Sequence, residues 1–468
     1  MRGRVPSARL ATRAMTSTAR SMGGMGIATH AAQTSARRRP FVARVALLGA
    51  AVFLAASAPA AASQRFASPA GAGTACTSSH PCRITRAINN AVAGDEVILA
   101  SGSYGSPSSR IPTSLATGFA NVNIHGVAGQ PRPQIFSSAD FPLDVYGSAD
   151  IVRHVAIDGS GSANAASLNV IGDGDLAEDF VAYASAQFGC LANHTATLRD
   201  GVCRSSAGAG LISSTVLAPA PGVTLRNMTI LSSNGHAIDV ESATSRPATV
   251  TAINTIARGG GGASDLHVAS FENANATLNV SHDNFATEQT QVQPSTTGHA
   301  TIADDGTSQS AAPLLANPAT GDIHELFGSP TINAGAASSA NGAADVYGNP
   351  RTVGGATDIG AAEFNPSNAF RFGKVTLHKH KRTATLPVKV PGRGTLVLSG
   401  KGIMTVHATV AAGGTVSLSI TPNHKLAKWL KKNGKAKVNV KVTYTPTDGD
   451  PRVKHKKVTL KAAKKKRQ

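Results

Sequence analysis

The sequence predicts an all-β chain, a parallel β-helix solenoid followed by a small basic β-sandwich of immunoglobulin-like type. Three observations predict it. Charge is partitioned along the chain. Residues 1–63 carry nine Arg and no acid, residues 64–365 carry twelve Arg against 24 Asp or Glu, and residues 366–468 carry 24 Lys or Arg against two Asp. Every lysine lies at Lys374 or later. In the middle, Asn, Asp and His recur at intervals of 21 to 29 residues from His154 to Asp283. From Phe370 onward, short apolar/polar alternation replaces that period. A chain of 468 residues exceeds one ordinary core. The boundaries read as 1–63 for a basic leader and signal peptide, 64–365 for the solenoid, 366–460 for the sandwich and 461–468 for a basic tail.

The leader comes first. Val45 to Ala62 is apolar, follows Arg37, Arg38, Arg39 and Arg44, and ends in small residues of the A-x-A kind at Ala58, Ala60 and Ala62. That pattern predicts a secretory signal peptide, the alternative being an uncleaved membrane span, since the run is nearly long enough to cross a bilayer. No second apolar run of membrane length follows, so no transmembrane anchor is expected after its removal. Four cysteines allow three pairings. Closeness favours Cys76 with Cys82 and Cys190 with Cys203, each stapling a local loop. Cys190 to Cys203 then reads as a small excursion from the stack.

Next, Ile84, Ala87, Ile88 and Val92 sit at helical spacing, and Val97-Ile98-Leu99 is a short apolar strand between the turns AGDEV and SGSY. Aligning the middle places His154, Asp179, Asp200, Asn227, Asn254 and Asp283 at one repeated bend. Spacings in the twenties fit one coil of a parallel β-helix, and about 25 residues per coil gives about eleven coils. Asn or Asp at a bend suits left-handed backbone and lets amides ladder between coils. Val223, Leu225, Met228 and Ile230 point inward on this reading, and Gly259–Gly262 and Gln289–Thr297 are loops. In the sandwich, Ala384, Leu386, Val388 and Val390 alternate with polar residues. So do Leu396 and Leu398, then Val416, Leu418 and Ile420, then Val438, Val440, Val442 and Tyr444. One helix runs from Asn423 as N-cap to Asn433-Gly434, with Leu426, Trp429 and Leu430 on one face; at that spacing Trp429 reads as a core residue, with a binding platform as the alternative.

The segment Asp345–Glu363, DVYGNPRTVGGATDIGAAE, with GSPTINAG just before it at Gly328–Gly335, resembles the closing segment of secreted bacterial parallel β-helix proteins of the choice-of-anchor type. Gly73–Tyr104 resembles the opening of the pectate-lyase-like superfamily. The resemblance implies a right-handed solenoid whose first open turn is covered by the helix. It also implies that Asp358-Ile359-Gly360 lays a last strand on the stack. Relatives with this fold include pectate lyases, polygalacturonases, alginate and chondroitin lyases, and proteins with no known activity.

A lyase needs a base for the proton beside a uronate carboxylate, and a cation or Ca²⁺ for the charge that develops. The solenoid has no lysine, which removes the Lys-based lyase types. Arg153, Arg199 and Arg226 each sit one residue before the repeated bend and line one edge. A hydrolase needs paired carboxylates. Asp173 and Asp175, with Glu178 and Asp179, form the densest acidic group. The candidate catalytic set is therefore Asp173, Asp175, Asp179 and Arg226, and Asp173 and Asp175 are the candidate Ca²⁺ ligands, with no other cofactor implied. Their bland reading is a solvated acidic turn and a surface ion pair. Asn234–Asp239, NGHAID, resembles the polygalacturonase Gly-His-Gly turn, with Ala237 in place of the second Gly. There is no G-x-S-x-G, zinc-ligand spacing or phosphate loop. The expectation is a monomeric, secreted or cell-surface protein. It binds polysaccharide or is structural, and its basic module holds it to an anionic envelope polymer rather than to a specific nucleic acid. The alternative is a polysaccharide lyase or glycoside hydrolase acting on an acidic polysaccharide.

Overall fold

The computed structural model describes residues 62–161, 166–216, 218–294 and 296–463. The signal-peptide reading and the last five residues of the basic tail lie outside them. The chain is all-β. Its first part is built from long stacks of parallel strands, as a β-helix requires. The first face stacks ten strands in chain order, from Gln64–Ala67 through Glu96–Leu99, Ile151–Asp158, Leu176–Ala184 and Ala220–Arg226 to Ala300–Asp304. The second face runs through Gln134–Phe136, the later halves of Ile151–Asp158 and Leu176–Ala184, and then Val202–Ser205, Thr229–Ser232 and Ile256–Arg258. The third face stacks eight strands from Leu115–Thr117 to Glu288–Val292. Gln289–Val292 is thus a strand rather than a loop, paired with His267–Ser270.

Period-two alternation sends Val223 and Leu225 into the interior, and Met228 and Ile230 follow beyond the corner; all four are buried. The helix Ile84–Asn89 buries Ile84, Ala87 and Ile88 in the same core. Tyr104 closes the first coils, its hydroxyl donating to the carbonyls of Ala67 and Ala100 (3.0 Å each).

The corner between the first and second faces is where the periodic residues act. His154, Asp179, Asp200, Asn227 and Asn254 all have positive φ, between 49° and 56°. Short polar side chains tolerate this region best, because they can bond locally. Asn254 Nδ2 donates to Asn227 Oδ1 (2.9 Å), and Asn227 Nδ2 donates to Asp200 Oδ1 (3.1 Å). At the sixth aligned position the corner residue is His282 (φ 52°), not Asp283. Register decides this: Arg226, Ile253 and Ser281 are stacked partners, so the residue after each of them takes the corner. Asp283 is buried instead and accepts the amides of Thr255 and Ser281.

Both short-range disulfides form, Cys76–Cys82 and Cys190–Cys203. The second is no excursion. Cys190 lies in the third-face strand Phe188–Ala192 and Cys203 in the second-face strand Val202–Ser205. Both side chains are fully buried, so the bond crosses the solenoid interior.

Beyond Asp304 the chain turns back. An antiparallel pair, Leu315–Asn317 with Asp322–Glu325, leads into the closing segment. Asp358-Ile359-Gly360 adds no strand to the stack. It runs along the solenoid flank, where Gly360 N–H donates to the Asn254 carbonyl (2.8 Å) and Ala361 N–H to Thr229 Oγ1 (3.0 Å). Ile323, Val346, Ala361 and Ala362 cover Val202 and Leu231 on the outer side of the second face. Those two apolar residues would otherwise face water, and burying them against the closing segment is the driving term.

From Arg371 two four-stranded antiparallel sheets enclose one core, which includes Phe370, Leu386, Leu396, Ile420, Val440 and Tyr444. Asn423 caps the helix His424–Asn433 by accepting from Leu426 N–H (3.0 Å), and Gly434 ends it in left-handed backbone. Trp429 is not a core residue: it is 49% exposed. On this short helix Leu430 is buried and Leu426 packs beside it, while Trp429 falls at the edge of that stripe. Among the described residues no helix is long and apolar enough to cross a membrane.

Candidate functional site

The four residues singled out from sequence do not converge. Asp175 sits in the turn leading into Leu176–Ala184, fully buried, where its oxygens accept the amides of Asp150 (2.9 Å) and Gly172 (2.8 Å). Burial, with Asp150 close by, pushes its carboxyl up to about 7. Asp173 is exposed at the surface beside His194 Nδ1 (3.2 Å) and Thr195 Oγ1 (3.3 Å). The two therefore share no point where a cation would sit. Among the described residues no group of three or more His, Cys, Asp and Glu is arranged to hold a metal.

Asp179 stands at the far end of the same first-face segment. It meets Arg132 through one oxygen and His154 Nδ1 (2.6 Å) through the other. Arg153, Glu178, Arg199 and Arg226 are stacked register partners, so the expected arginine edge is real. Glu178 pairs with both Arg153 (3.8 Å) and Arg199. Arg199 and Arg226 are then occupied by the protein itself. They donate to the Ala340 carbonyl (3.3 Å) and Asn341 Oδ1 (2.9 Å) of the closing segment. Arg351, from the same segment, lies 3.2 Å from Asp200 Oδ1 and 3.4 Å from Glu363 Oε1. This corner is a closed structural network, not an open cleft.

A different cluster lies on the outer side of the third face. Ile238 and Val240 fill the core, which turns Asp239 and Glu241 outward. Asp239 stacks in register on His267, which stacks on Gln289 in the next coil. His267 Nδ1 is 2.7 Å from Asp239 Oδ1. His236, at the head of the strand, stacks on the His267 ring at 4.3 Å, with its Nδ1 2.9 Å from Ser264 Oγ. The two imidazoles are shifted in opposite directions. The bond to Asp239 raises His267 above the ordinary histidine value, while burial and the neighbouring His267 lower His236. Burial, with Asp239 close by, raises Glu241. An imidazole biased toward its charged form, one biased toward its neutral form and a carboxyl biased toward its neutral form are the kinds of group that donate and accept protons.

The sequence reading had His236 and Asp239 within NGHAID but missed His267. The signal was available, since His267 is one coil beyond Asp239, within the period of the repeat. On the second face, a cavity of about 350 Å³ lies between Arg204, Leu231 and Arg258 and the closing-segment residues Leu315 and Pro318. No protein-family model matches the sequence, and no curated protein matches it.

Proposed function

We propose that this is an exported cell-surface protein of the pectate-lyase-like superfamily with a choice-of-anchor closing segment. Its solenoid presents stacked side chains to polysaccharide or acts as a structural spacer, and its basic sandwich holds it at the envelope. The observation that carries this reading is the charge partition. The C-terminal module holds 24 Lys or Arg against two Asp, and among the described residues none of its cations has a carboxylate within ion-pair distance. Uncompensated charge of this density attracts polyanions. The two disulfides suit an oxidising compartment, where the abundant polyanions are wall polymers and acidic polysaccharides. The test is retention of the mature chain on isolated envelope at low and high salt. Retention at low salt that is lost at high salt is expected, because exposed charges are screened beyond roughly 10 Å at ~0.1 M. Retention that ignores salt, or none at low salt, removes the reading.

A second reading, a polysaccharide lyase or glycoside hydrolase acting on an acidic polysaccharide, is favoured by the His236–His267–Asp239–Glu241 cluster alone. Its test is incubation with uronate and neutral polysaccharides, with and without Ca²⁺. Product that disappears in His267→Ala supports it. Unchanged polymers, or product formation unaffected by that substitution, exclude this cluster as the site.

A further inference from the structure

The sandwich has two unlike poles. At the pole beside the solenoid, the turn after Pro446 carries both acids of the module, Asp448 and Asp450, and Gly354 of the closing segment donates to Asp450 Oδ1 (3.2 Å). Arg393 at the same pole lies over the Phe327 ring at 4.2 Å. The opposite pole is set by strand register. Thr383–Val390 begins there and Gly414–Ile420 ends there, since Ala384 pairs with Ile420. Lys435–Pro446 begins there and Arg452–Lys461 ends there, since Lys435 pairs with Lys461. The helix His424–Asn433 lies at this same pole, with its end tied in by Ala462 N–H donating to the Gly434 carbonyl (2.8 Å). The turn before Thr383 is tied in by Ala463 N–H donating to the Lys379 carbonyl (3.0 Å).

Topology thus gathers Lys381, Lys425, Lys428, Lys432, Lys435 and Lys461 at one end, all exposed and far from either acid. Two lysines directly opposite each other, as Lys435 and Lys461 are, repel and lower stability. Among them stands the chain's single tryptophan, 49% exposed on the helix, with Lys425 one turn before it and Lys432 nearly one turn after.

We propose that this pole, centred on Trp429, is a docking site for an acidic polysaccharide. A sugar ring stacks on the indole, and carboxylate or sulfate groups along the chain pair with the surrounding lysines. The proposal rests on the envelope-attachment reading and specifies its contact point. An indole presents a flat face large enough for one sugar ring. A lipid surface fits less well: interfacial helices insert a broad apolar face, and here Leu426 and Leu430 are spent on the sandwich core. Nucleic acid also fits less well, because strand binding stacks successive bases on several aromatics, and the helix offers one.

Because Trp429 is the only tryptophan, its emission in the full mature chain reports on this pole alone. The experiment titrates the chain at low salt with polygalacturonate, with neutral dextran, with vesicles containing phosphatidylglycerol, and with a single-stranded oligonucleotide. Binding is measured in parallel by calorimetry. The expected result is a change in emission with polygalacturonate that is reversed by salt, and none with dextran. Trp429→Ala should bind polygalacturonate about tenfold more weakly, the size of one aromatic contact of about 1.4 kcal/mol. It should keep the wild-type melting midpoint, since the side chain it removes lies at the surface. Binding that leaves the emission and the Trp429→Ala affinity unchanged overturns the inference but not envelope attachment. A stronger response to vesicles or oligonucleotide overturns it in favour of that partner. Binding to no polyanion at all overturns both.

Discussion

Arg351→Ala tests whether the closing segment is held on the solenoid by a buried counter-ion. Arg351 is 4% exposed, and its partners Asp200 and Glu363 are 3% and 0% exposed. Its guanidinium also donates to the carbonyls of Gly360 and Ala361. Removing Arg351 leaves Glu363 without its counter-charge and Asp200 with only Arg199, 4.0 Å away, at a cost of about 3–5 kcal/mol. The cost depends on pH. Burial already pushes Asp200 up to about 7 and Glu363 up to about 8, with Arg351 pulling both down. Without Arg351 both rise further, so the variant's folded state binds more protons than the wild type's near neutrality. Groups with raised folded values stabilise below the unfolded value and lose that contribution as pH rises through the folded one. The variant's stability therefore falls faster than the wild type's between about pH 6 and 9. At roughly 2 °C per kcal/mol for a chain of this size, the midpoint should drop by roughly 6–10 °C in mild alkali and by less in mild acid. Scanning calorimetry at the two pH values measures this. A midpoint within about 1 °C of wild type in mild alkali, or an equal drop at both pH values, refutes the counter-ion argument.

Asn227→Ala should cost about 2–3 kcal/mol in denaturant unfolding, because it strains left-handed backbone and breaks the amide ladder. Asn227→Gly should recover about 1 kcal/mol of that, since the backbone strain is relieved while the side-chain bonds to Asp200, Asn254 and the Asn341 carbonyl stay lost. Replacing Cys190 and Cys203 together by Ala should cost about 3 kcal/mol for a closure of 13 residues, and the native protein should show no reactive thiol. The His267 titration, followed by proton NMR, should fall above the ordinary histidine value and drop in Asp239→Asn. A raised histidine stabilises below its unfolded value and loses this as pH rises through the folded one, so Asp239→Asn should destabilise most in mild acid.

Much of the architecture was legible in the sequence because it rests on contacts within one coil or one hairpin. The helical spacing of Ile84, Ala87 and Ile88 and the alternation of Leu386 and Val388 needed only neighbouring residues. So did the cap at Asn423. The repeat put five of six corner residues in the right place. The exception is Asp283: residue type points to it, but register decides, and His282 takes the corner. The exposure of Trp429 is not legible, because spacing gives the side of a helix and not the width of the stripe that the core needs.

By itself, the sequence determined an all-β chain with a coil-length repeat, paired nearby cysteines and a basic, acid-poor end, because each is a property of composition or of short-range periodicity. Only the tertiary structure decided that Cys190–Cys203 crosses the core. It alone stacked Asp239, His267 and His236 together on one face, and it alone laid the closing segment over the arginine edge. That last contact joins residues as far apart as Asn254 with Ala336 and Arg132 with Val346. The chain folds back there because Val202 and Leu231 leave apolar surface on the outer side of the second face and the corner ladder leaves bonding groups beside it. No local pattern in the covering segment records that demand.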